Sequence, residues 1–69
     1  MDDSYIELNA FLKCKAIVPT GGQAKTLIRS EAVLVNDVIE TRNKKKLHTG
    51  DKVTYDNKEY IVDSDVLRL

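Results

Sequence analysis

The sequence predicts an α+β fold in which two short helices pack on a small antiparallel sheet. Apolar residues within the range 8–28 recur at intervals of three and four positions, which is the helical spacing. Residues 32–62 instead carry short β-branched and apolar runs, which the turn-forming pairs Asn36-Asp37 and Asp56-Asn57 interrupt. Because the helical pattern precedes the strand pattern, we expect a helix hairpin whose apolar face the sheet covers.

The size and charge of the chain limit the kinds of protein it can be. Its 69 residues are enough for one small domain, which we expect at residues 5–62, followed by a C-terminal tail at residues 63–69. Eleven Lys and Arg residues balance eleven Asp and Glu residues. The net charge therefore gives no argument for a nucleic-acid partner, and any such argument must come from where the charges lie.

Cysteine and histidine usage excludes several kinds of site. Cys14 is the only cysteine and His48 the only histidine, so neither an internal disulfide nor a zinc site within the chain is expected. A single cysteine suits a reducing cytosol. The sequence also has no apolar run long enough to span a membrane. We therefore expect a cytoplasmic monomer that needs no cofactor.

The first helix is expected to begin near Leu8. Residues 5–8 alternate in polarity, which favours a short extended lead-in, although Ser4 and Glu7 also have the spacing of a capping box. Pro19 disfavours helical geometry in the residue before it, so the helix should end at the segment that precedes this proline. The apolar stripe of the helix is formed by Leu8, Phe11, Leu12 and Ala16.

The second helix is expected at residues 21–30. Thr20 has the N-cap position, and Gln23 follows three residues later, where a capping-box partner belongs. Lys25 and Arg29 lie four residues apart on one face and are expected to point into solvent. The opposite, apolar face is formed by Ala24, Leu27 and Ile28.

The start of this second helix suits an anion such as phosphate. Free backbone N–H groups, the positive end of the helix dipole and the glycines Gly21 and Gly22 come together there. The alternative is that the glycines only form the turn, and that Lys25 and Arg29 are a solvated face. The helix alone does not decide between these two interpretations.

The second half of the chain is expected to supply the strands. The segment at residues 48–51 has the composition of a turn, in addition to the two turn-forming pairs. The four expected strands cover residues 32–35, 38–41, 52–55 and 58–62.

Residues 42–46, hereafter the basic loop, form the sharpest charge feature. They contain four cations in five positions, whereas most acidic residues lie near the two ends of the chain. Like charges this close repel one another, and binding of a polyanion would relieve that repulsion and release counterions. The alternative is a solvated loop that resists aggregation. If the loop lies beside Lys25 and Arg29, with Lys15 nearby, all these cations form a single patch.

The remaining residues favour recognition over catalysis. No carboxylate pair, nucleophile–base set or phosphate-binding GxxxxGK[ST] motif is present, so no enzyme is predicted. The four aromatic residues are spread along the chain and are expected to pack in the core or sheet. Without paired aromatic residues for base stacking, recognition of folded RNA through its shape and backbone is favoured over sequence readout.

Several segments, taken in order, resemble the RNA-binding domain named after ribosomal protein S-four, and in particular its small stand-alone bacterial members of the YaaA/YbcJ type. The similarity covers about residues 5–62. The matching segments are Ile6-x-Leu8-x-x-Phe11-Leu12-Lys13, Thr20-Gly21-Gly22-Gln23-Ala24-Lys25-x-Leu27-Ile28, Val33-x-Val35-Asn36, Glu40-Thr41-Arg42-x-Lys44-Lys45-Lys46-Leu47 and Gly50-Asp51.

This resemblance implies a two-helix αL motif on an antiparallel sheet, with structured RNA bound by the helix pair and a nearby loop. It implies a partner that is ribosomal RNA or a ribosomal subunit, and a role in ribosome maturation or translation. Three positions depart from the wider family: Gly21 replaces a frequent arginine, and Glu31 and Asp37 replace glycines. By position, the implied RNA contacts are Thr20, Gln23, Lys25, Arg29, Arg42, Lys44, Lys45 and Lys46.

A second interpretation from another functional class remains open at this point. The zero net charge and the lack of stacking aromatics are also compatible with a protein-interaction module that binds an acidic protein surface. Recovery of a protein partner after nuclease treatment would distinguish this module from an RNA-binding domain.

Overall fold

The structure, a computed structural model, describes residues 4–63 and has the predicted α+β fold. Of the expected C-terminal tail, residues 64–69 lie outside the described part of the chain. The helices pack on each other and on one face of the main sheet. In chain order the elements are β1 (Ile6–Glu7), α1 (Leu8–Cys14), α2 (Gly21–Arg29), β2 (Val33–Val35), β3 (Val38–Ile39), β4 (Lys46–Leu47), β5 (Lys52–Tyr55) and β6 (Lys58–Ile61).

The strands form two antiparallel sheets, where the sequence predicts one. The main sheet has the order β3-β2-β5-β6, and β1 pairs with β4 in a separate two-stranded sheet. Strand β4 lies at the end of the basic loop, where Leu47 is the only residue typical of a strand. The sequence therefore does not predict this strand. It forms because Ile6 pairs with Leu47 and both side chains pack in or against the core.

The core is apolar and contains residues from both helices and both sheets. Within residues 4–63, no polar or charged residue is fully buried. The largest side chains without exposed surface are Phe11, Leu8, Leu12, Ile28, Leu47, Val33, Val53 and Val62. Burial of these side chains supplies most of the stabilisation that short, individually marginal helices and strands require.

Helix α1 ends at Cys14, earlier than the sequence predicts. The chain leaves the helix in a Schellman motif: the Ala16 N–H donates to the Lys13 carbonyl and the Ile17 N–H to the Leu12 carbonyl, both at 3.0 Å. Ala16 has the left-handed backbone conformation, with φ of 59°. Glycine is the usual residue there, and an alanine gives no such stop signal.

Helix α2 (Gly21–Arg29) and its side-chain cap by Thr20 confirm the prediction, and of the predicted capping box the structure shows this Thr20 half. The Thr20 Oγ1 accepts a hydrogen bond of 3.2 Å from the Gln23 N–H. The helix ends at Arg29, with Ser30 as its C-cap. Glu31 follows with φ of 66°, so the position where the family resemblance implies a glycine does have a glycine-like conformation.

We expect Glu31→Gly to stabilise the fold by about 0.5–1 kcal/mol. Glycine removes the cost of the left-handed conformation, and this gain exceeds the added entropy of the unfolded chain. The free energy of unfolding from urea titration measures the difference. Ser30→Gly is the control, since Ser30 has φ of −78° and glycine there removes no cost of a left-handed conformation. A loss of stability in Glu31→Gly would contradict this account of the backbone.

Both predicted hairpin turns are confirmed. Asn36 and Asp37 have φ of 51° and 69°, and Asp56 and Asn57 have φ of 54° and 63°. Two consecutive residues with positive φ are the signature of a type I′ turn, which Asn and Asp tolerate better than other non-glycine residues. These two turns set the registers of the β2–β3 and β5–β6 pairs.

Candidate nucleic-acid interface

The four cations of the basic loop line one open depression. Its volume is about 490 Å³, and its lining residues are Arg42, Lys44, Lys45 and Lys46. Lys45 is half-buried and the other three are exposed. The loop is therefore a concave cationic surface and not a set of side chains that point in unrelated directions.

Backbone hydrogen bonds attach the basic loop to the start of α1. The Leu8 N–H donates to the Lys45 carbonyl at 2.9 Å, and the Asn9 N–H donates to the Asn43 carbonyl at 3.0 Å. The first N–H groups of a helix have no partner within the helix, so these loop carbonyls cap α1.

The far end of the loop is fixed by strand β4. Lys46 and Leu47 pair with Glu7 and Ile6 of β1, and Leu47 has no exposed surface. The depression thus lies between two points attached to the core. Cationic side chains on a fixed main chain lose less conformational freedom on binding than side chains on a mobile loop would.

Arg42 differs from the three lysines because it is already paired with Glu40. The Arg42 Nε lies 2.9 Å from Glu40 Oε2, and Nη2 lies 3.3 Å from Oε1. The Arg42 N–H also donates to Glu40 Oε2 at 3.1 Å. The side chain of Glu40 is 12% exposed and that of Arg42 72% exposed, so the carboxylate lies beneath an accessible guanidinium.

The same pair shifts the pKa values of both groups. The hydrogen bond from the Arg42 guanidinium lowers the pKa of Glu40 despite its partial burial, and the pair raises the pKa of Arg42. A carboxylate with a lowered pKa stabilises the fold above its ordinary pKa. This contribution is therefore present at neutral pH and is lost as the pH falls through the lowered value.

Within residues 4–63, Lys44, Lys45 and Lys46 have no acidic partner within 4.0 Å. Lys52 is different, since its Nζ lies 2.9 Å from Asp37 and 3.3 Å from Glu59. Hydrogen bonds to these two carboxylates, that to Asp37 first, raise the pKa of Lys52. Lys52 therefore acts as a structural cation of the main sheet.

Helix α2 presents its candidate residues on two flanks. Lys25 and Arg29 are exposed and have no ion pair among the described residues. Two residues advance a helix by roughly 200°, so Gln23 points away from Lys25. Gln23 instead lines a second depression of about 400 Å³, together with Ile17, Val18, Thr26, Leu27, Ser30 and Tyr55.

The start of α2 is open. Ideal Cβ atoms built on Gly21 and Gly22 would approach no other part of the chain more closely than 4.0 Å. The backbone N–H groups of both glycines have no acceptor within residues 4–63, whereas Thr20 uses its Oγ1 to cap the helix. The features expected to suit an anion are thus accessible.

The structure brings together the four cations of the basic loop, and it separates Gln23 from Lys25 on α2. That Lys25, Arg29 and the basic loop form one continuous surface stays a prediction. The sequence predicts that Tyr5 packs in the core or sheet, and this prediction is wrong: its side chain is 44% exposed and lies beside Lys46. The alternating polarity of residues 5–8 does indicate this exposure. Successive side chains of an extended segment point to opposite faces, so Tyr5 points to solvent when Ile6 packs against the core.

Residues 4–63 contain neither a membrane-spanning helix nor a cluster of metal ligands. No helix in this range is long and apolar enough to cross a membrane. The same range contains no group of three or more His, Cys, Asp or Glu residues placed to hold a metal ion.

Comparison with known proteins gives a match over most of the chain. The family described as the S4 domain matches residues 1–63. The probable ribosome maturation protein RlbA of Bacillus subtilis (strain 168) is 40% identical over 53 residues, which cover 77% of this chain and 75% of that protein. No solved structure shows significant similarity to the chain.

Proposed function

The chain belongs to the S4 domain family, and from this premise we propose that it is a non-catalytic protein that binds structured RNA. We propose ribosomal RNA or a ribosomal particle as the partner, with a role in ribosome maturation or translation. The name of the similar Bacillus protein, a probable ribosome maturation protein, supports a role connected with the ribosome.

The observation that carries the proposal is the cationic depression of the basic loop. Among residues 4–63, the three lysines that line it have no acidic group within 4.0 Å, and the backbone carbonyls of Asn43 and Lys45 hold its main chain against α1. Phosphates on a folded RNA backbone are spaced closely enough to contact several such side chains at once. Contacts of this kind position RNA without reading its sequence.

Helix α2 is proposed as the second contact. Lys25 and Arg29 would bind phosphates beside the basic loop, and the open N–H groups at Gly21 and Gly22 would donate hydrogen bonds to another phosphate. Thr20 and Gln23 complete the proposed surface. Gln23 lies on the other flank of α2, so we expect it to contact a different part of the RNA than Lys25 does.

Binding across a salt series tests the proposal. A folded ribosomal RNA fragment is titrated with the purified protein at several KCl concentrations. We expect the logarithm of the association constant to fall linearly with the logarithm of the salt concentration, with a slope of roughly −0.7 to −0.9 per phosphate contact. Salt-independent binding would contradict it. A protein partner recovered after nuclease treatment, with no RNA binding, would favour the protein-interaction alternative.

We expect Glu40→Gln to strengthen RNA binding by roughly threefold and to steepen the salt slope by about one. The amide keeps the size of Glu40 but removes the charge that neutralises Arg42, so the guanidinium becomes available to a phosphate. Fluorescence anisotropy with a labelled RNA measures both quantities.

The matched control is Glu59→Gln, which changes the net charge equally but lies on β6 beside Lys52. If the two variants gain the same affinity, the effect comes from net charge alone, and Arg42 has no particular role in the interface.

A further inference from the structure

The two-stranded β1–β4 sheet has an outer face that extends the basic loop. Ile6 pairs with Leu47, so Tyr5 and His48 are the next residues across from each other. Their ring centroids are 6.4 Å apart with an interplanar angle of 52°. The Lys46 Nζ lies over the Tyr5 ring, 4.9 Å from its centroid. An aromatic ring, an imidazole and an ammonium group thus share one exposed face.

This face is fixed relative to the phosphate-binding surface proposed above. Ile6 and Leu47 point inward from the same two strands, and Leu47 has no exposed surface. Lys46 belongs both to this face and to the depression of the basic loop. A nucleotide bound through its phosphate at the loop therefore has the Tyr5 ring within reach of its base.

The charges on this face favour a base over a second phosphate. Glu7 pairs with Lys46 across the ladder and so lies on the same side of the small sheet as Tyr5. Its carboxylate would repel a phosphate placed over this part of the sheet. An uncharged base avoids that repulsion and gains contact with the exposed ring, and every base has a face that stacks on an aromatic ring.

We propose that Tyr5, flanked by Lys46 and His48, is a stacking site for one unpaired base of the bound RNA. The inference rests on the proposed RNA-binding function and adds the class of RNA: a folded RNA with an unpaired nucleotide next to a duplex. In the free protein the Lys46 ammonium lies over the ring. On binding, the ammonium turns to the phosphate, and the base takes its place on the ring.

The test compares two RNAs and three proteins by fluorescence anisotropy. One RNA is a hairpin whose loop is a flexible non-nucleotide linker, so that all of its nucleotides are paired, and the other is the same hairpin with a single bulged adenine. We expect the wild-type protein and Tyr5→Phe to bind the bulged hairpin more tightly than the paired one. Tyr5→Ala should weaken binding to the bulged hairpin by roughly tenfold and binding to the paired hairpin by less than about twofold.

The salt slope separates stacking from charge. Because Tyr5 carries no charge, Tyr5→Ala should leave the slope unchanged for both hairpins. Tyr5→Leu is a third variant, added to these, which keeps an apolar side chain on the lead-in to β1 if the alanine variant does not fold. It should show the same selective loss.

Failure of this inference is distinguishable from failure of the proposed function. Equal binding of both hairpins by the wild-type protein, or equal losses on both in Tyr5→Ala, would overturn the stacking site and leave RNA binding intact. No binding of either hairpin would overturn both. Unchanged RNA binding in Tyr5→Ala, with loss of a protein recovered from nuclease-treated lysate, would make this face a protein contact and overturn the inference.

Discussion

Changing Lys44, Lys45 and Lys46 together to glutamate is expected to reduce the affinity for folded ribosomal RNA by roughly 100-fold or more at moderate salt. The three lysines line the depression without acidic partners among the described residues. Their reversal removes three phosphate contacts and puts like charges against the RNA backbone. The salt slope should therefore become shallower by about three.

The measurement is a salt series by fluorescence anisotropy, with circular dichroism to verify that the variant is folded. The fold should persist, because Lys44 and Lys46 are exposed and Lys45 is only half-buried, and the capping hydrogen bonds use backbone carbonyls of the loop. The side chains can thus change while the main chain stays attached to α1.

A single reversal at Lys58 provides the charge control for Lys45→Glu. Lys58 is exposed on β6, outside the basic loop. If Lys58→Glu weakens binding as much as Lys45→Glu does, the RNA responds to net charge and not to the depression. A folded triple variant that binds RNA with an unchanged slope would remove the basis of the proposed interface.

The parts of the fold that the sequence predicts well depend on neighbouring residues. The Thr20 cap depends on an amide three residues away, and the Asn36-Asp37 turn depends on two residues that tolerate positive φ. Local chemistry of this kind is visible in a short window. The sequence does not predict the end of α1, because Ala16 adopts a left-handed conformation that an alanine side chain disfavours.

The second sheet could not be predicted for a different reason. Strands β1 and β4 are two residues each, and their partners lie about forty positions apart in the sequence. Pairs this short are stabilised by the burial of Ile6 and Leu47 and not by strand propensity. The sequence therefore indicated a basic loop but not the sheet that fixes one of its ends.

Only part of the candidate site can be predicted from the sequence. The cations of the basic loop are evident from composition, whereas the pairing of Arg42 with Glu40 required the structure. Glu40 and Arg42 are two residues apart, and in extended chain this spacing places two side chains on the same side. The sequence therefore contains part of the information that predicts their pairing. The exposed Tyr5 beside Lys46 depends on the second sheet, and composition alone gave it no role.

The largest expected effect on stability is that of Phe11→Ala, which should lower the free energy of unfolding by about 3–5 kcal/mol. Phe11 lies on α1 with no exposed surface, and it is the largest fully buried side chain of the described residues. A domain of this size has a total stability of roughly 3–10 kcal/mol. Thermal unfolding followed by circular dichroism should show a fall in Tm of roughly 12–40 °C.

Ile39→Ala is the control for this substitution, because Ile39 is 51% exposed on strand β3. It should cost less than about 1 kcal/mol, and an equal loss of stability in both variants would contradict the core assignment.

RNA binding distinguishes the core variant from the charge reversal of the basic loop. Phe11→Ala should lose binding only in proportion to its unfolded fraction, so binding returns on cooling, whereas the charge reversal of the basic loop weakens binding in a protein that remains folded. This difference follows from the structure of the loop, whose lysine side chains contribute charge while its main chain and Leu47 connect it to the core.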